Sequence, residues 1–218
     1  MRGISLFVAC VVLLEAGFIH AGPRPPPTKV TVAVYYECMC PFSINFITTQ
    51  LWPTYVKLSR YMKVSLYPYG NAHRNNITNE NGTVTEAISC QHGENECKGN
   101  IVQACALALY RRTSIQVSFV SCMMSAALPY RAGQQCAARI GLEWGLIKKC
   151  AVSAHGKTLL IEMGYKTSIE YVTSVPHIVV NGIFSDEYTR LARTNFMSLI
   201  CSLLKVKPRL CTKDDKAE

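Results

Sequence analysis

A chain of 218 residues that is 49% hydrophobic and 17% charged can bury a real core. This excludes a disordered or collagen-like protein and makes one globular domain the expectation. Lys+Arg 23 against Asp+Glu 14 leave a net charge of +9, which raises nucleic acid or an anionic surface as partners. The basic residues are scattered (Arg111, Arg112, Lys148, Lys149, Lys205, Lys207, Arg209), with no basic run and no aromatic-interleaved motif, so nucleic-acid binding is not expected.

Residues 1–21 combine Arg2, an apolar stretch over 4–14 and small residues ending at Ala21. That pattern reads as a secretory signal peptide, and the apolar stretch is well short of the roughly 20 residues a membrane span needs. Its removal takes Cys10 from the 11 cysteines and leaves an even ten, as a disulfide framework in an oxidising compartment requires. Residues 22–28 (GPRPPPT) form a proline-rich leader, and residues 29–211 the domain proper. Residues 212–218 are a C-terminal tail without a retention signal.

Residues 29–37 (KVTVAVYYE) are β-branched and aromatic and predict the first strand. Cys38-Met39-Cys40-Pro41-Phe42-Ser43 follows, then a helical pattern in which Phe42, Phe46, Ile47, Leu51 and Trp52 can share an apolar face. Pro41 suits a first helical turn and puts Cys40 near the N-cap. Pro53 is expected to kink or end that helix between Thr48 and Trp52. Residues 61–69 predict a second strand, so the order suggests a parallel βαβ unit. The polar stretch 71–85 reads as an exposed loop with two acceptor sequons, at Asn76 and Asn81.

Helical patterns occupy residues 100–111, 139–151 and 156–162, whereas 113–122 (TSIQVSFVSC) fits either a strand or a buried helix. Val175-Pro176-His177-Ile178-Val179-Val180-Asn181-Gly182 predicts an extended entry, a buried strand and a turn into a hairpin with Ile183 and Phe184. A final helix is expected over 186–205, with Leu191, Phe196, Leu199, Ile200 and Leu203 inward. This order is that of an α/β, thioredoxin-like fold carrying an inserted helical, disulfide-rich region.

The segment from Cys90 to Cys105 carries the pattern C-Q-H-G-x2-E-C-x2-N-x4-C. At every fixed position it resembles the signature of the gamma-interferon-inducible lysosomal thiol reductases, the GILT family. Tyr35-Tyr36-Glu37, Tyr67-Pro68-Tyr69-Gly70-Asn71-Ala72 and Val180-Asn181-Gly182 extend the resemblance over nearly the whole domain. It implies reduction of protein disulfides in an acidic lysosomal or secreted setting, with no bound cofactor and an external small thiol as reductant. It also implies a cis Pro176 beside the active cysteine. The family's usual C-x-x-C stands here as Cys40-Pro41-Phe42-Ser43, so the nucleophile is present and Ser43 occupies the resolving position.

A thiol attacks as its thiolate, and an ordinary cysteine of pKa near 8.5 is ionised only about once in three thousand at pH 5. The candidate donors for Cys40 are the Ser43 backbone N–H, the Ser43 hydroxyl and a protonated His177. Serine can support a thiolate but cannot attack sulfur to free a trapped substrate. Cys38 is the candidate substitute resolver, because on an extended segment its Cα would lie about 6.6–6.8 Å from that of Cys40, at the edge of disulfide geometry. The remaining eight, Cys90, Cys97, Cys105, Cys122, Cys136, Cys150, Cys201 and Cys211, can form four structural bridges, with the pairing left open. Cys90, His92 and Cys97 offer zinc-ligand chemistry but lack metal-site spacing, so no metal is expected. His92 reads as a hydrogen-bonded turn residue.

Two functions compete. One is a GILT-like thiol oxidoreductase with Cys40, Ser43, Cys38 and Pro176 at its site, acting on disulfide-containing proteins as a monomer. The other is a secreted glycoprotein on the same scaffold that binds a protein or cell surface with little turnover.

Overall fold

The computed structural model describes residues 29–212 apart from 79. The expected signal peptide, the proline-rich leader and residues 213–218 of the tail therefore lie outside the described residues. The centre is β1 (Val30–Tyr36), in which Val30, Val32, Val34, Tyr35 and Tyr36 are all buried. It pairs in parallel with β2 (Met62–Pro68), Val32 opposite Val64, and antiparallel with β5 (His177–Val180), Val34 opposite Ile178. The three-stranded sheet thus has the order β2-β1-β5.

Parallel strands need a crossover, which is the helical run after Cys40. It comprises α1 (Pro41–Asn45), a wider π-helical stretch over Phe46–Leu51, and α2 (Trp52–Leu58). Pro53 does not end the helix as expected. Its missing N–H and its ring are accommodated where the preceding turn is already widened, and the helix runs on to Leu58. Phe46, Ile47 and Leu51 are fully buried, while Phe42 leaves the expected apolar face and is exposed.

A second sheet replaces the loop expected over 71–85. Here β3 (His73–Thr78) and β4 (Val84–Ser89) form an antiparallel hairpin. His73, Arg74, Asn75, Asn76 and Glu86 all lie exposed on this ribbon, and composition alone presents so polar a stretch as a loop. Asn76 sits exposed on β3 and Asn81 exposed in the connecting turn.

The inserted region is helical. α3 (Glu94–Leu109) starts earlier than its apolar pattern suggests, with Glu94 and Glu96 in its first turn. The ambiguous segment is α4 (Thr113–Met124), buried through Val117, Phe119, Val120, Met123 and Met124. The expected helix over 139–151 is two, α5 (Gly133–Ile140) and α6 (Trp144–Ala151), because Gly141 takes a left-handed φ of 77° that caps the first. α7 (Ala154–Ile169) completes the insertion. Disulfides join Cys90 to Cys97, Cys105 to Cys150, Cys122 to Cys136 and Cys201 to Cys211.

After β5 the chain turns through Asn181 and Gly182, both at positive φ, and the predicted hairpin is reduced to one bridge between Val180 and Ile183. α8 (Asp186–Leu203) then packs Phe196 edge-on to Phe46, ring centroids 5.4 Å apart. It kinks at Asn195, whose side chain accepts from the Ser198 N–H and re-caps the second half. One apolar core lies between the β1 sheet, the crossover helices and α8, with Val117, Val120 and Met124 of α4 and Leu107 of α3 packed into it, and a second lies among the inserted helices.

Candidate active site

Cys40 takes extended backbone angles at the N-cap of α1, with Pro41 as the first helical residue. The Ile44 N–H closes the first turn on the Cys40 carbonyl at 2.9 Å. The Phe42 and Ser43 N–H groups precede that bond and have no acceptor within the helix, so they are donors at its positive end. Cys40 is a free thiol, 6% exposed, and its Sγ lies 4.0 Å from the Val175 carbonyl oxygen. The Val175–Pro176 peptide is cis. Phe42, 62% exposed under the Arg193 guanidinium at 5.0 Å, forms an apolar surface on the residue between Pro41 and Ser43.

Ser43 is fully buried, and its hydroxyl has no hydrogen-bond partner among the described residues. Its side chain is thus held in the protein at the position where a resolving thiol would sit.

Cys38 is a free thiol as well, but not one that could exchange with Cys40. The chain bends at Cys38 and Met39, so residues two apart no longer share a face. The Cys38 side chain points under α3, with its Sγ 3.5 Å from the Glu96 carbonyl oxygen and no exposure. Burial raises its pKa far above the ordinary thiol range, and the neighbouring Glu96 and Glu37 carboxylates add to the effect. It is a neutral core thiol rather than the substitute resolver expected from spacing.

His177 also departs from expectation. Its ring stacks on Phe184 at 3.9 Å and meets Tyr35 edge-on at 5.8 Å. Burial lowers its pKa, because the site cannot hydrate the imidazolium, and its ring contacts are with Phe184 and Tyr35 rather than with Cys40. The backbone explains this: Pro176 borders Cys40, whereas the next residue of an extended chain turns to the opposite face.

The residues that hold the Cys40 segment went unrecognised as a group in the sequence. Along α3, Glu96, Asn100 and Gln103 recur at helical spacing on one fully buried face. Gln103 accepts from the Tyr36 hydroxyl at 2.7 Å, and Asn100 accepts from the Cys38 N–H at 3.0 Å. Glu96 accepts from the backbone N–H and from Nδ1 of His92, at 3.1 and 2.7 Å. Glu37, fully buried, accepts from the Asn71 N–H at 2.6 Å and faces His92 Nδ1 at 3.4 Å. Gln91 accepts from the Asn71 amide at 2.9 Å. The C-Q-H-G-x2-E-C-x2-N motif is therefore a frame that grips the strand end carrying the nucleophile. A face of Glu, Asn and Gln reads from sequence as the solvent side of an amphipathic helix; here it faces backbone donors.

Glu37, His92 and Glu96 have ligand atoms all within 4.8 Å of one another, the one such trio of metal-ligating types found among the described residues. The shortest contacts in it are hydrogen bonds, so it is a proton-sharing cluster. Cys90 and Cys97, bonded to each other, offer no thiolate to zinc. The Glu37 pKa rises to about 7, chiefly through burial and further through Glu96, with the Asn71 N–H and His92 acting against the rise.

Gly70 makes this packing possible. Its φ is 59°, and a Cβ there would overlap the Glu37 side chain. Gly70→Ala is expected to destabilise the protein by about 2–3 kcal/mol, from left-handed strain plus the clash. The check is urea unfolding at constant pH, where the midpoint should fall without a change in slope.

Residues 31–140 match the family model described as gamma interferon inducible lysosomal thiol reductase. A gamma-interferon-inducible lysosomal thiol reductase of Carassius auratus is 35% identical over 213 residues, covering 93% of this chain and 77% of that one. GILT-like protein 1 of Drosophila melanogaster is 33% identical over 228 residues, covering 96% and 88%. Among solved structures, a putative protein disulfide isomerase from Nitrosomonas europaea aligns at 10% identity with a TM-score of 0.48, covering 70% of this chain and 85% of that one. With the family model matching half of the chain and these relatives matching nearly all of it, the protein belongs to the gamma interferon inducible lysosomal thiol reductase family, a family of thiol oxidoreductases.

Proposed function

We propose that the protein reduces protein disulfides through Cys40 alone, with Ser43 in the resolving position and an external small thiol completing turnover. The observation that carries the reading is the free Cys40 at a helix N-terminus beside the carbonyl that precedes cis Pro176. The Cys40 thiolate attacks one sulfur of the substrate disulfide, forming a mixed disulfide and releasing the other sulfur as a thiolate. One external thiol then attacks the Cys40 sulfur and releases the second substrate thiol; another removes the first from Cys40. The balance is one substrate disulfide and two thiols converted to a dithiol and one external disulfide.

Four bridges in the described domain favour an oxidising compartment. With the sequence features of residues 1–21, this supports a secretory-pathway protein, secreted or lysosomal, glycosylated at Asn76 and Asn81. No helix among the described residues is long and apolar enough to cross a membrane. The second reading is a glycoprotein that captures a disulfide partner or binds a surface without turning over. It is favoured by the burial of Cys38, which leaves no second thiol for Cys40 among the described residues.

The deciding assay is reduction of a protein disulfide by the mature protein with a small thiol, at acid and neutral pH. Cys40→Ser is expected to abolish turnover. Cys38→Ala is expected to keep most of it while costing about 1–2 kcal/mol of stability, from the small cavity it leaves. Wild type no faster than Cys40→Ser, with a mixed disulfide trapped on Cys40, would select the second reading.

A further inference from the structure

We propose that Glu37, His92 and Glu96 form a proton-operated clasp that positions the Cys40 segment, closed while Glu37 holds a proton and loosened when it ionises. The clasp joins two parts of the chain far apart in sequence: the end of β1, three residues before Cys40, and the loop that opens α3. Both carboxylates are fully buried. Glu96 has two donors from His92, so it is satisfied as a carboxylate. Glu37 has one direct donor, the Asn71 N–H, and its Oε2 is buried without a hydrogen-bond partner. Two carboxylates sharing one imidazole in a water-excluded site cannot both ionise cheaply.

The groups around Glu37 come from every element packed on it. The β2–β3 connection supplies Gly70 and the neutral Asn71 amide, the signature loop supplies His92, α3 supplies Glu96, and its own segment supplies the Cys38 thiol. Among the described residues no lysine or arginine forms an ion pair with it. The proton is therefore the available counter-charge. A carboxyl held at about 7 when folded, against 4.5 ordinarily, lends stability below the lower value and loses it as pH rises towards the higher one. The clasp is thus tightest in acid. Its hold reaches the nucleophile because the next residue, Cys38, is fixed through its own N–H by Asn100 of α3.

This inference rests on Cys40 being the reacting group, and its test separates the two. Hydrogen exchange at the Cys38 amide, corrected for intrinsic rate, is followed in the mature wild-type protein and in Glu37→Gln from about pH 5 to pH 8. In the same samples the rate of mixed-disulfide formation between Cys40 and a small disulfide is measured and normalised to thiolate. In wild type, protection is expected to fall at least about tenfold between about pH 5 and pH 7 and to level off above about 7, by linkage to the Glu37 proton. In Glu37→Gln it should stay within about twofold across the range, with the normalised rate flattened in step. Constant wild-type protection overturns the clasp even where Glu37→Gln fails to fold, and so does a wild-type fall that survives in Glu37→Gln. A fall that levels off near pH 7 and vanishes in Glu37→Gln supports the clasp, and if Cys40 forms no mixed disulfide at any pH, it is the reductase reading that fails.

Discussion

Ser43→Cys is expected to raise multiple-turnover disulfide reduction about 100-fold at about 1 mM external thiol. In the wild-type site, a substrate held on Cys40 waits for a collision with external thiol. A cysteine at position 43 is three residues further along the same helix, within reach of the mixed disulfide. It would present its thiol at an effective concentration of about 0.1 M, well below the best oriented intramolecular cases. The fold should tolerate the change. Ser43 is fully buried with an unpaired hydroxyl, so replacing that oxygen removes an unsatisfied polar atom while adding a little volume, a net change within about 1 kcal/mol. Mass spectrometry of quenched reactions supplies the check. Wild type should accumulate substrate on Cys40, and the variant an internal bridge between positions 40 and 43. Equal turnover in both proteins would mean that position 43 does not face the nucleophile, whereas no turnover in either would favour the second reading.

The parts of this site legible in the sequence are those with local causes. Strand propensity over 29–37, proline at the first helical position and the Val175-Pro176 entry to β5 each place Cys40 and Pro176 by short-range rules. What failed depends on which way a side chain turns once the backbone bends. Spacing alone brought Cys38 to Cys40 and His177 towards it; the bend at Cys38 and Met39 and the alternation of β5 send both elsewhere. The α3 seam was hidden for a different reason. Asn100 and Gln103 are buried because the Cys38 N–H and the Tyr36 hydroxyl meet them, partners more than 60 residues away, while Glu96 is met by His92 of the loop before the helix. The β3–β4 hairpin was missed because a polar ribbon and a polar loop have the same composition.

The Cys105–Cys150 bridge is expected to carry the largest share of disulfide stability, about 4 kcal/mol. It closes a 45-residue separation, against 7, 14 and 10 for the others. Chain entropy removed from the unfolded state grows with the logarithm of loop length, giving about 2.5–3 kcal/mol for the short bridges. Cys105→Ala with Cys150→Ala should therefore lower the free energy of unfolding more than any other bridge deletion, in urea titrations under non-reducing conditions. Equal loss for all four would mean that local packing, not loop closure, sets their worth. The consequence reaches the nucleophile, because this bridge ties α3 to α6 and α3 is the helix whose buried face holds Tyr36 and Cys38. A protein lacking it should lose protection at the Cys38 amide before it loses the β1–β2 pairing, since most of the sheet's core comes from the sheet itself, the crossover helices and α8. Exchange measured below the unfolding midpoint would show the Cys38 amide opening first. If strand and Cys38 amides opened together, α3 and the sheet would form one cooperative unit, and the frame behind Cys40 would be no weaker than the fold itself.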